Sequence, residues 1–166
     1  SRAKLAKRVD YKPVDDTPPS SDYFRELFRV SRNQIIWGAN HFIAAFGRSS
    51  SCWLVWDKDN GNTQYADCEL AWTSFPGAVR KFKYLWAGMR QEKQGAGHQY
   101  RIHPCEKPIA LYAWIFSRYA KPGDRILDTH LGRGSSRIAA YDAGLDFVGC
   151  EIDPYYFKAQ EGRFQE

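Results

Sequence analysis

Short apolar runs, each followed by a turn-forming residue, recur along the chain and predict β-strands. They lie at residues 33–37, 53–56, 69–73, 82–86, 125–128 and 147–151. Stretches in which apolar residues recur every three or four positions predict helices instead. These cover residues 23–30, 109–119, 137–143 and 154–164. In the first of them Phe24, Leu27 and Phe28 share one face, and Ser21 or Asp22 can cap its start.

The final third of the chain alternates strand, turn, helix, strand and helix. A glycine-rich turn at 131–136 follows the strand at 125–128, and Gly144 closes the helix that comes next. A β-α-β-α order in so short a span implies parallel strands joined by a right-handed crossover. The sequence therefore predicts the α/β fold class.

Two segments lack such patterns. Residues 1–22 are basic and then Pro-rich, which indicates a lead-in outside the core. Residues 88–102 hold glycines, charged residues and glutamines among few apolar positions, and predict a mobile loop. We expect a single domain over residues 23–166, divided by this loop into halves at 23–87 and 103–166.

The composition excludes several classes of protein to which this chain could belong. Hydrophobic residues make up 43% and aromatic residues 16% of the 166 positions, which is too apolar for a disordered chain. No apolar run approaches the roughly 20 residues of a membrane-spanning helix, and the basic start lacks the apolar core of a signal peptide. The net charge of +5 suits a polyanionic partner. Four cysteines without C-x-x-C spacing predict buried thiols in a reducing cytosol rather than disulfides or a zinc site.

The glycine-rich turn has a specific chemical use. Gly132 and Gly134 allow positive φ and close backbone approach, and the helix that follows offers unpaired N–H groups. Glu151 lies 23 positions after Asp128 and can accept hydrogen bonds from both hydroxyls of a ribose. The turn lacks the third glycine of the dinucleotide fingerprint and the Gly-Lys-Ser/Thr of a phosphate loop. A nucleoside site and a tight turn without a ligand both fit this pattern.

Three motifs occur in a fixed order: HPCEKP at 103–108, DTHLGRGSS at 128–136 and GCEID at 149–153. Three earlier segments accompany them: FRVSRNQIIWGAN at 28–40, WLVWDK at 53–58 and ELAWTSF at 69–75. Together they resemble the bacterial and phage DNA N6-adenine/N4-cytosine methyltransferases, especially the small phage-type members. The resemblance covers about residues 23–166. It implies a Rossmann-like methyltransferase sheet with helices on both faces, with the catalytic half first and the S-adenosylmethionine (SAM) half last.

The resemblance implies SAM as cofactor. The residues that match the family's cofactor positions are His103, Lys107, Pro108, Asp128, Leu131, Gly132, Gly134, Ser135, Ser136, Glu151 and Ile152. The turn would hold the methionine part, Glu151 the ribose, and Ile152 would pack on adenine. The segment at 103–108 would line the methionine end, where Lys107 pairs with a carboxylate or is simply solvated. Arg133 replaces the family's usual small residue and is expected to point to solvent, with a contact to the cofactor or to DNA as the alternatives.

The resemblance also implies a catalytic motif, Asp/Asn/Ser-Pro-Pro-aromatic, which polarises the exocyclic amine and stacks on the flipped base. The 166 residues do not contain it, and the Pro18-Pro19 pair, with no aromatic after it, is interpreted as a linker. Because the chain starts at Ser1 without Met, we expect the motif upstream; a fragment, omitted residues and lost catalysis all stay open. Asp57 is the rival acceptor, although an ion pair with Lys58 or another base is favoured.

The implied function is methyl transfer from SAM to adenine N6 of double-stranded DNA, with cytosine N4 as the alternative. A non-catalytic SAM- or DNA-binding module, and methylation of RNA or a small molecule, are the other classes left open. The resemblance also implies a target-recognition segment between the two halves, at roughly residues 76–102 and including the loop at 88–102. Its basic residues, which would contact DNA phosphates or form an ordinary solvated loop, are Arg80, Lys81, Lys83, Arg90, Lys93 and Arg101. A homodimer stays open, no metal or membrane is expected, and the expected location is a bacterial or phage-infected cytoplasm.

Overall fold

The computed structural model describes residues 17–61, 63–87, 90–91 and 105–165. These fall into two compact units, an N-terminal unit up to residue 91 and a C-terminal unit from residue 105. The helices are α1 (Ser21–Val30), α2 (Ile43–Phe46), α3 (Ile109–Tyr119), α4 (Ser135–Asp142) and α5 (Pro154–Gln165). The strands are β1 (Ile35–Trp37), β2 (Trp53–Asp57), β3 (Cys68–Thr73), β4 (Arg80–Lys83), β5 (Trp86–Ala87), β6 (Arg90–Gln91), β7 (Arg125–Asp128) and β8 (Asp146–Gly149). The single domain expected over 23–166 stays a prediction.

The N-terminal unit contains a mixed four-stranded sheet in the order β1-β3-β2-β4. β3 runs antiparallel to both of its neighbours, whereas β2 and β4 are parallel. Leu54 and Trp56 of β2 are buried together because alternate side chains of a strand face the same side. Aromatic side chains of α1 and α2 pack on a core formed by Phe24, Ile36, Ala39 and Trp72.

Helix α1 begins two residues earlier than predicted. Ser20, rather than Ser21 or Asp22, caps it by accepting a first-turn N–H on its Oγ at 3.3 Å. The apolar face is as predicted, since Phe24 is buried and its ring centroid lies 5.0 Å from that of Phe46 in α2. The sequence pattern does not predict α2, because four residues carry too little periodicity to distinguish a helix from a turn.

The predicted strand at 82–86 is wrong in its bounds. β4 pairs with β2 over residues 80–83, and the two residues of β5 pair with β6 instead. The register with β2 sets these limits, and pairing between distant segments is not encoded in a local pattern. β6 lies within the segment predicted as a loop at 88–102, of which the rest is outside the described residues.

The C-terminal unit confirms the predicted β-α-β-α order and the α/β class. β7 and β8 are parallel, with Asp128 opposite Gly149, and α4 connects them while packing along α3. Helix α3 and strand β7 have the predicted bounds. Helix α4 begins at Ser135 rather than Arg137 because Gly134, in the left-handed region at φ +76°, forms its N-cap.

The burial of the cysteines departs from the prediction. Cys52 is buried, but Cys68, Cys105 and Cys150 are exposed. Cys68 begins β3 and Cys150 follows β8 directly, so apolar neighbours in the sequence do not bury them at these strand ends. None of the described helices is long and apolar enough to cross a membrane.

Candidate cofactor site

Asp128 ties the end of β7 to the start of α4. Its Oδ1 accepts the His130 N–H at 2.9 Å, and its Oδ2 accepts the Ser136 hydroxyl at 2.5 Å. Its backbone oxygen accepts the Cys150 N–H at 2.8 Å, which joins the ends of β7 and β8. The structure therefore brings two predicted site residues, Asp128 and Ser136, together, but they bond to each other and shape the turn.

Glu151 closes the turn from the other strand. Its Oε2 accepts the Gly132 N–H at 2.8 Å, and its Oε1 accepts the Asp153 N–H at 2.9 Å. The Leu131 N–H donates to the Cys150 oxygen at 2.9 Å, which strengthens the same junction. The acidic residue and the glycine-rich turn, 19 positions apart, thus meet, whereas the predicted contact of Glu151 with a ribose stays a prediction.

Two glycines are required by packing at this junction. Gly134 has φ +76°, and a Cβ there would lie 3.1 Å from Oε1 and 3.2 Å from Cβ of Gln160 in α5. A Cβ on Gly149 would lie 2.9 Å from the side chain of Leu131, which is buried over it. Leu131 therefore anchors the turn in the protein, and Gly149, the first residue of the GCEID motif, shapes the site by leaving room for Leu131.

Ile152 is the most exposed large apolar side chain of the site. It is 98% exposed and directly follows the half-buried Glu151. An isolated exposed isoleucine needs no explanation by itself, but this one adjoins a carboxylate set against a helix start. The predicted packing of Ile152 on adenine stays a prediction.

Arg133 does not point to solvent, and that prediction is wrong. Its side chain is 11% exposed and lies 3.7 Å from the buried carboxylate of Glu106. Arg163 of α5 donates to the Ser135 Oγ at 3.0 Å, so Ser135 also bonds within the protein. Sequence reasoning missed Glu106 and Arg163; the spacing of Arg163 from the buried Tyr156 places it on the inner face of α5 and was an available signal.

The segment before α3 is described in part. Pro108 is buried at the N-cap of α3, and Lys107, which precedes it, is half-buried. His103 lies outside the described residues, so its predicted role stays a prediction. Among the described residues, the prediction that this segment lines the methionine end of SAM therefore depends on Lys107.

Asp57 forms an ion pair, but not with Lys58. Its Oδ2 lies 3.3 Å from the Lys81 Nζ, whereas the Lys58 Nζ lies 2.7 Å from Glu69. Parallel pairing of β2 with β4 brings Lys81 alongside, which the local sequence does not show. The pKa of Asp57 is below its usual value, chiefly because the carboxylate accepts the Asp59 N–H and also because Lys81 is near.

The basic residues of β4 form an exposed edge. Arg80, Lys81 and Lys83 are exposed, and Lys83 lies 2.9 Å from Asp59, whose hydrogen bond and charge raise the pKa of this lysine. Of the remaining predicted DNA contacts, Arg90 lies in β6, while Lys93 and Arg101 are outside the described residues. Among the described residues, no group of three or more His, Cys, Asp or Glu side chains could hold a metal ion.

Known proteins that are similar to this chain are DNA methyltransferases. The family model described as DNA methylase, which groups N6 and N4 methyltransferases, matches residues 26–161. The DNA adenine methyltransferase YhdJ of Escherichia coli (strain K12) is 37% identical over 60 residues, which cover 36% of this chain and 20% of that protein. The type II methyltransferase M2.DpnII of Streptococcus pneumoniae is 31% identical over 88 residues, which cover 52% of this chain and 31% of that protein.

The match to these curated relatives therefore spans less than a third of their length. Among solved structures, the complex of M1.HpyAVI with SAM is similar with a TM-score of 0.62 at 20% identity. The likeness covers 92% of this chain and 85% of M1.HpyAVI. At this identity it shows a shared fold.

Proposed function

Because the chain belongs to the DNA methylase family, we propose that it binds SAM and forms part of an enzyme that methylates adenine N6 of double-stranded DNA. The observation that carries the proposal is the contact of Glu151 with Gly132, which places a carboxylate against a glycine-rich turn at a helix start. SAM supplies the activated methyl group when it is bound. The name of YhdJ supports adenine, and the SAM complex of M1.HpyAVI supports the cofactor.

The site fits the nucleoside part of SAM. A carboxylate offers about four acceptor positions, and Glu151 uses two of them for the N–H groups of Gly132 and Asp153. The other lone pairs can accept both hydroxyl hydrogens of a ribose. Ile152, beside it, offers an exposed apolar surface on which an adenine ring can pack.

For the methionine part, we propose that Lys107 pairs with the carboxylate of the amino acid. Gly132, at φ +54°, allows the backbone of the turn to approach the ligand closely. Asp128, Leu131 and Ser136 do not bind the cofactor directly in this proposal, because their side chains are hydrogen-bonded or packed within the protein. They hold the turn in shape for the cofactor.

The proposal assigns this chain the cofactor site and not the activation of the target amine. An exocyclic amine is a weak nucleophile because its lone pair is delocalised, so it needs an acceptor oxygen and a stacking ring in the right position. The Pro-Pro motif that supplies them in the family does not occur in the 166 residues. Asp57 is a poor substitute, because Lys58 and Asp59 follow it where the motif has its two prolines.

For DNA we propose that the exposed edge of β4 contacts phosphates. Lys81 and Lys83 form ion pairs with Asp57 and Asp59, respectively. Arg80 forms no ion pair within the described part of the chain. Arg80 is therefore the strongest candidate for a phosphate contact on this strand. Such contacts give affinity for DNA without reading its sequence.

Titration of the 166-residue chain with SAM tests the cofactor part, and no detectable binding would refute it. Transfer of labelled methyl from SAM to unmethylated duplex DNA, by a protein that also carries the Pro-Pro motif, tests the activity. Digestion of the product to nucleosides separates N6-methyladenine from N4-methylcytosine, the alternative that the family also allows. A protein that binds SAM and DNA but transfers nothing would instead be a non-catalytic binding module.

A further inference from the structure

A buried glutamine of α5 covers Gly134 and carries its own hydrogen bonds. Gln160 is 1% exposed, and its Oε1 and Cβ lie 3.1 Å and 3.2 Å from the position that a Cβ on Gly134 would take. Arg137, in the first turn of α4, donates from Nη1 to this Oε1 at 2.8 Å. The Gln160 Nε2 donates to Oε1 of Glu161 at 2.8 Å. Both polar groups of the amide are therefore hydrogen-bonded within the protein, as is usual for a buried amide.

Arg137 and Glu161 select one orientation of this amide. The guanidinium of Arg137 pairs with Glu161 and lies over the ring of Phe164, 3.9 Å from the ring centroid. A guanidinium only donates and a carboxylate only accepts, so the amide oxygen must face Arg137 and the amide nitrogen must face Glu161. This orientation places the oxygen of Gln160 against Gly134.

The position of Arg137 in the glycine-rich motif explains why α5 is involved. Arg137 lies three residues after Gly134, where the dinucleotide fingerprint has its third glycine. In that fingerprint the glycine allows close packing of the helix on the strand. Here the same position carries a long side chain that reaches the neighbouring helix instead. The first turn of α4 is thus joined to α5 directly beside its N-cap.

We propose that Gln160 is a positioning residue for the cofactor: oriented by its two partners, it holds Gly134 and the glycine-rich turn in the conformation that receives the methionine part of SAM. The Gly134 N–H donates to the Leu131 oxygen at 2.9 Å, and the Gly134 oxygen accepts the Ile138 N–H at 3.1 Å. A side chain packed against this glycine therefore supports both the end of the turn and the first hydrogen bond of α4. The cofactor half of this inference rests on the proposed function, whereas its structural half does not.

A purely structural role and a positioning role differ in their effect on ligand binding. A less stable variant that is still folded at the assay temperature binds its ligand with unchanged affinity, because the competent fraction stays close to one. A displaced turn instead lowers the affinity of the folded protein. The compound 5′-methylthioadenosine has the nucleoside of SAM without the amino-acid part. Displacement of the methionine site should therefore weaken the binding of SAM more than the binding of this compound.

The test compares Gln160→Met with Gln165→Met in the full 166-residue chain. Methionine is unbranched and about as long as glutamine, so it keeps the cover over Gly134 but loses both hydrogen bonds of the amide. Gln160→Met should raise the dissociation constant of SAM about tenfold, because the turn then has its binding conformation about a tenth of the time. The constant for 5′-methylthioadenosine should rise less than about threefold. Gln165 is exposed in the same helix, and Gln165→Met should change neither constant.

Two further measurements test the network itself. Because Arg137 acts through Gln160 in this proposal, Arg137→Met should also weaken SAM binding, and adding it to Gln160→Met should cause less than about a twofold further change. Amide hydrogen exchange needs no cofactor. Exchange at Gly134 and Ile138 should become about tenfold faster in Gln160→Met, while Ala143 at the other end of α4 keeps its rate.

Unchanged SAM affinity in Gln160→Met would overturn the positioning role, as would an equal rise of both dissociation constants or the same effect in Gln165→Met. Multiplied effects in the double variant would refute the link through Arg137. If Gln160→Met does not fold, Arg137→Met decides, since it must weaken SAM more than 5′-methylthioadenosine. If the unmodified chain binds neither ligand, the proposed function fails, and faster or unchanged exchange at Gly134 then supports or refutes the hold of Gln160 on the turn.

Discussion

Replacement of Glu151 is expected to reveal two roles, support of the turn and binding of the ribose. The carboxylate accepts the N–H groups of Gly132 at 2.8 Å and Asp153 at 2.9 Å. Glu151→Ala removes both acceptors, and each N–H that water cannot reach then costs about 1–3 kcal/mol. We therefore expect the variant to unfold at a lower temperature even without cofactor.

The loss of SAM affinity comes from the ribose. Two hydroxyl hydrogens would lose a charged acceptor, and a bond of this kind contributes about 1.5–3 kcal/mol in mutational series. Because the adjoining Ile152 is 98% exposed, water can replace part of each lost bond. We expect a total loss of about 1–3 kcal/mol, which raises the dissociation constant about 5- to 150-fold.

The ribose contact can be measured separately from the turn. The unmodified chain should bind 5′-methylthioadenosine about tenfold more tightly than its 2′-deoxy counterpart, as expected for one charged hydrogen bond. Glu151→Ala should bind the two ligands equally. Asp146→Asn removes a carboxylate from β8 that faces the exposed Arg125, and it controls for the change of net charge. It should preserve the tenfold difference.

A preference for the ribose ligand that survives Glu151→Ala would refute the ribose assignment. If Glu151→Ala raises the dissociation constants of both ligands by the same factor, the preference for the ribose ligand is unchanged. Glu151 would then only support the turn, and the ribose would need another acceptor. A loss of stability without any change in ligand binding would have the same meaning. In each case the ribose contact is tested by the ratio of the two dissociation constants and not by the affinity for either ligand alone.

Three further changes test other parts of the structure. Gly134→Ala should cost at least about 1 kcal/mol more than Gly144→Ala in thermal unfolding, because both have positive φ but only the first would press against a glutamine of α5. Arg80→Ala should flatten the salt dependence of DNA binding by up to about 0.9 per lost phosphate contact, and Lys81→Ala should do so less because of its carboxylate partner. Equal slopes for the two variants would contradict this ranking. The 166-residue chain should transfer methyl groups at least about a thousandfold more slowly than a protein that also carries the Pro-Pro motif; robust transfer by the shorter chain that is lost in Asp57→Ala would show that Asp57 is the acceptor.

Much of the C-terminal unit could be predicted from the sequence. The bounds of α3 and β7 agree with the pattern, and so does the order of strand, turn, helix, strand and helix. The meeting of Glu151 with Gly132 was also predictable, because a parallel β-α-β unit brings the ends of its two strands to the same edge. In the N-terminal unit the bounds of β4 and the short α2 were not, because strand pairing and four-residue helices leave little local signal.

The sequence by itself determined the α/β class, the glycine-rich turn and the acidic residue opposite it. It could do so because backbone geometry imposes fixed periods and strand ends, and these are visible in neighbouring residues. Only the tertiary structure decided where the charged side chains go. Arg133 is largely withdrawn from solvent because Glu106 and Arg163, each more than 25 positions away, meet it there. Asp57 faces Lys81 rather than Lys58 for the same reason: the free energy of a charge depends on the partners and the water around it, which the fold brings together from distant parts of the chain.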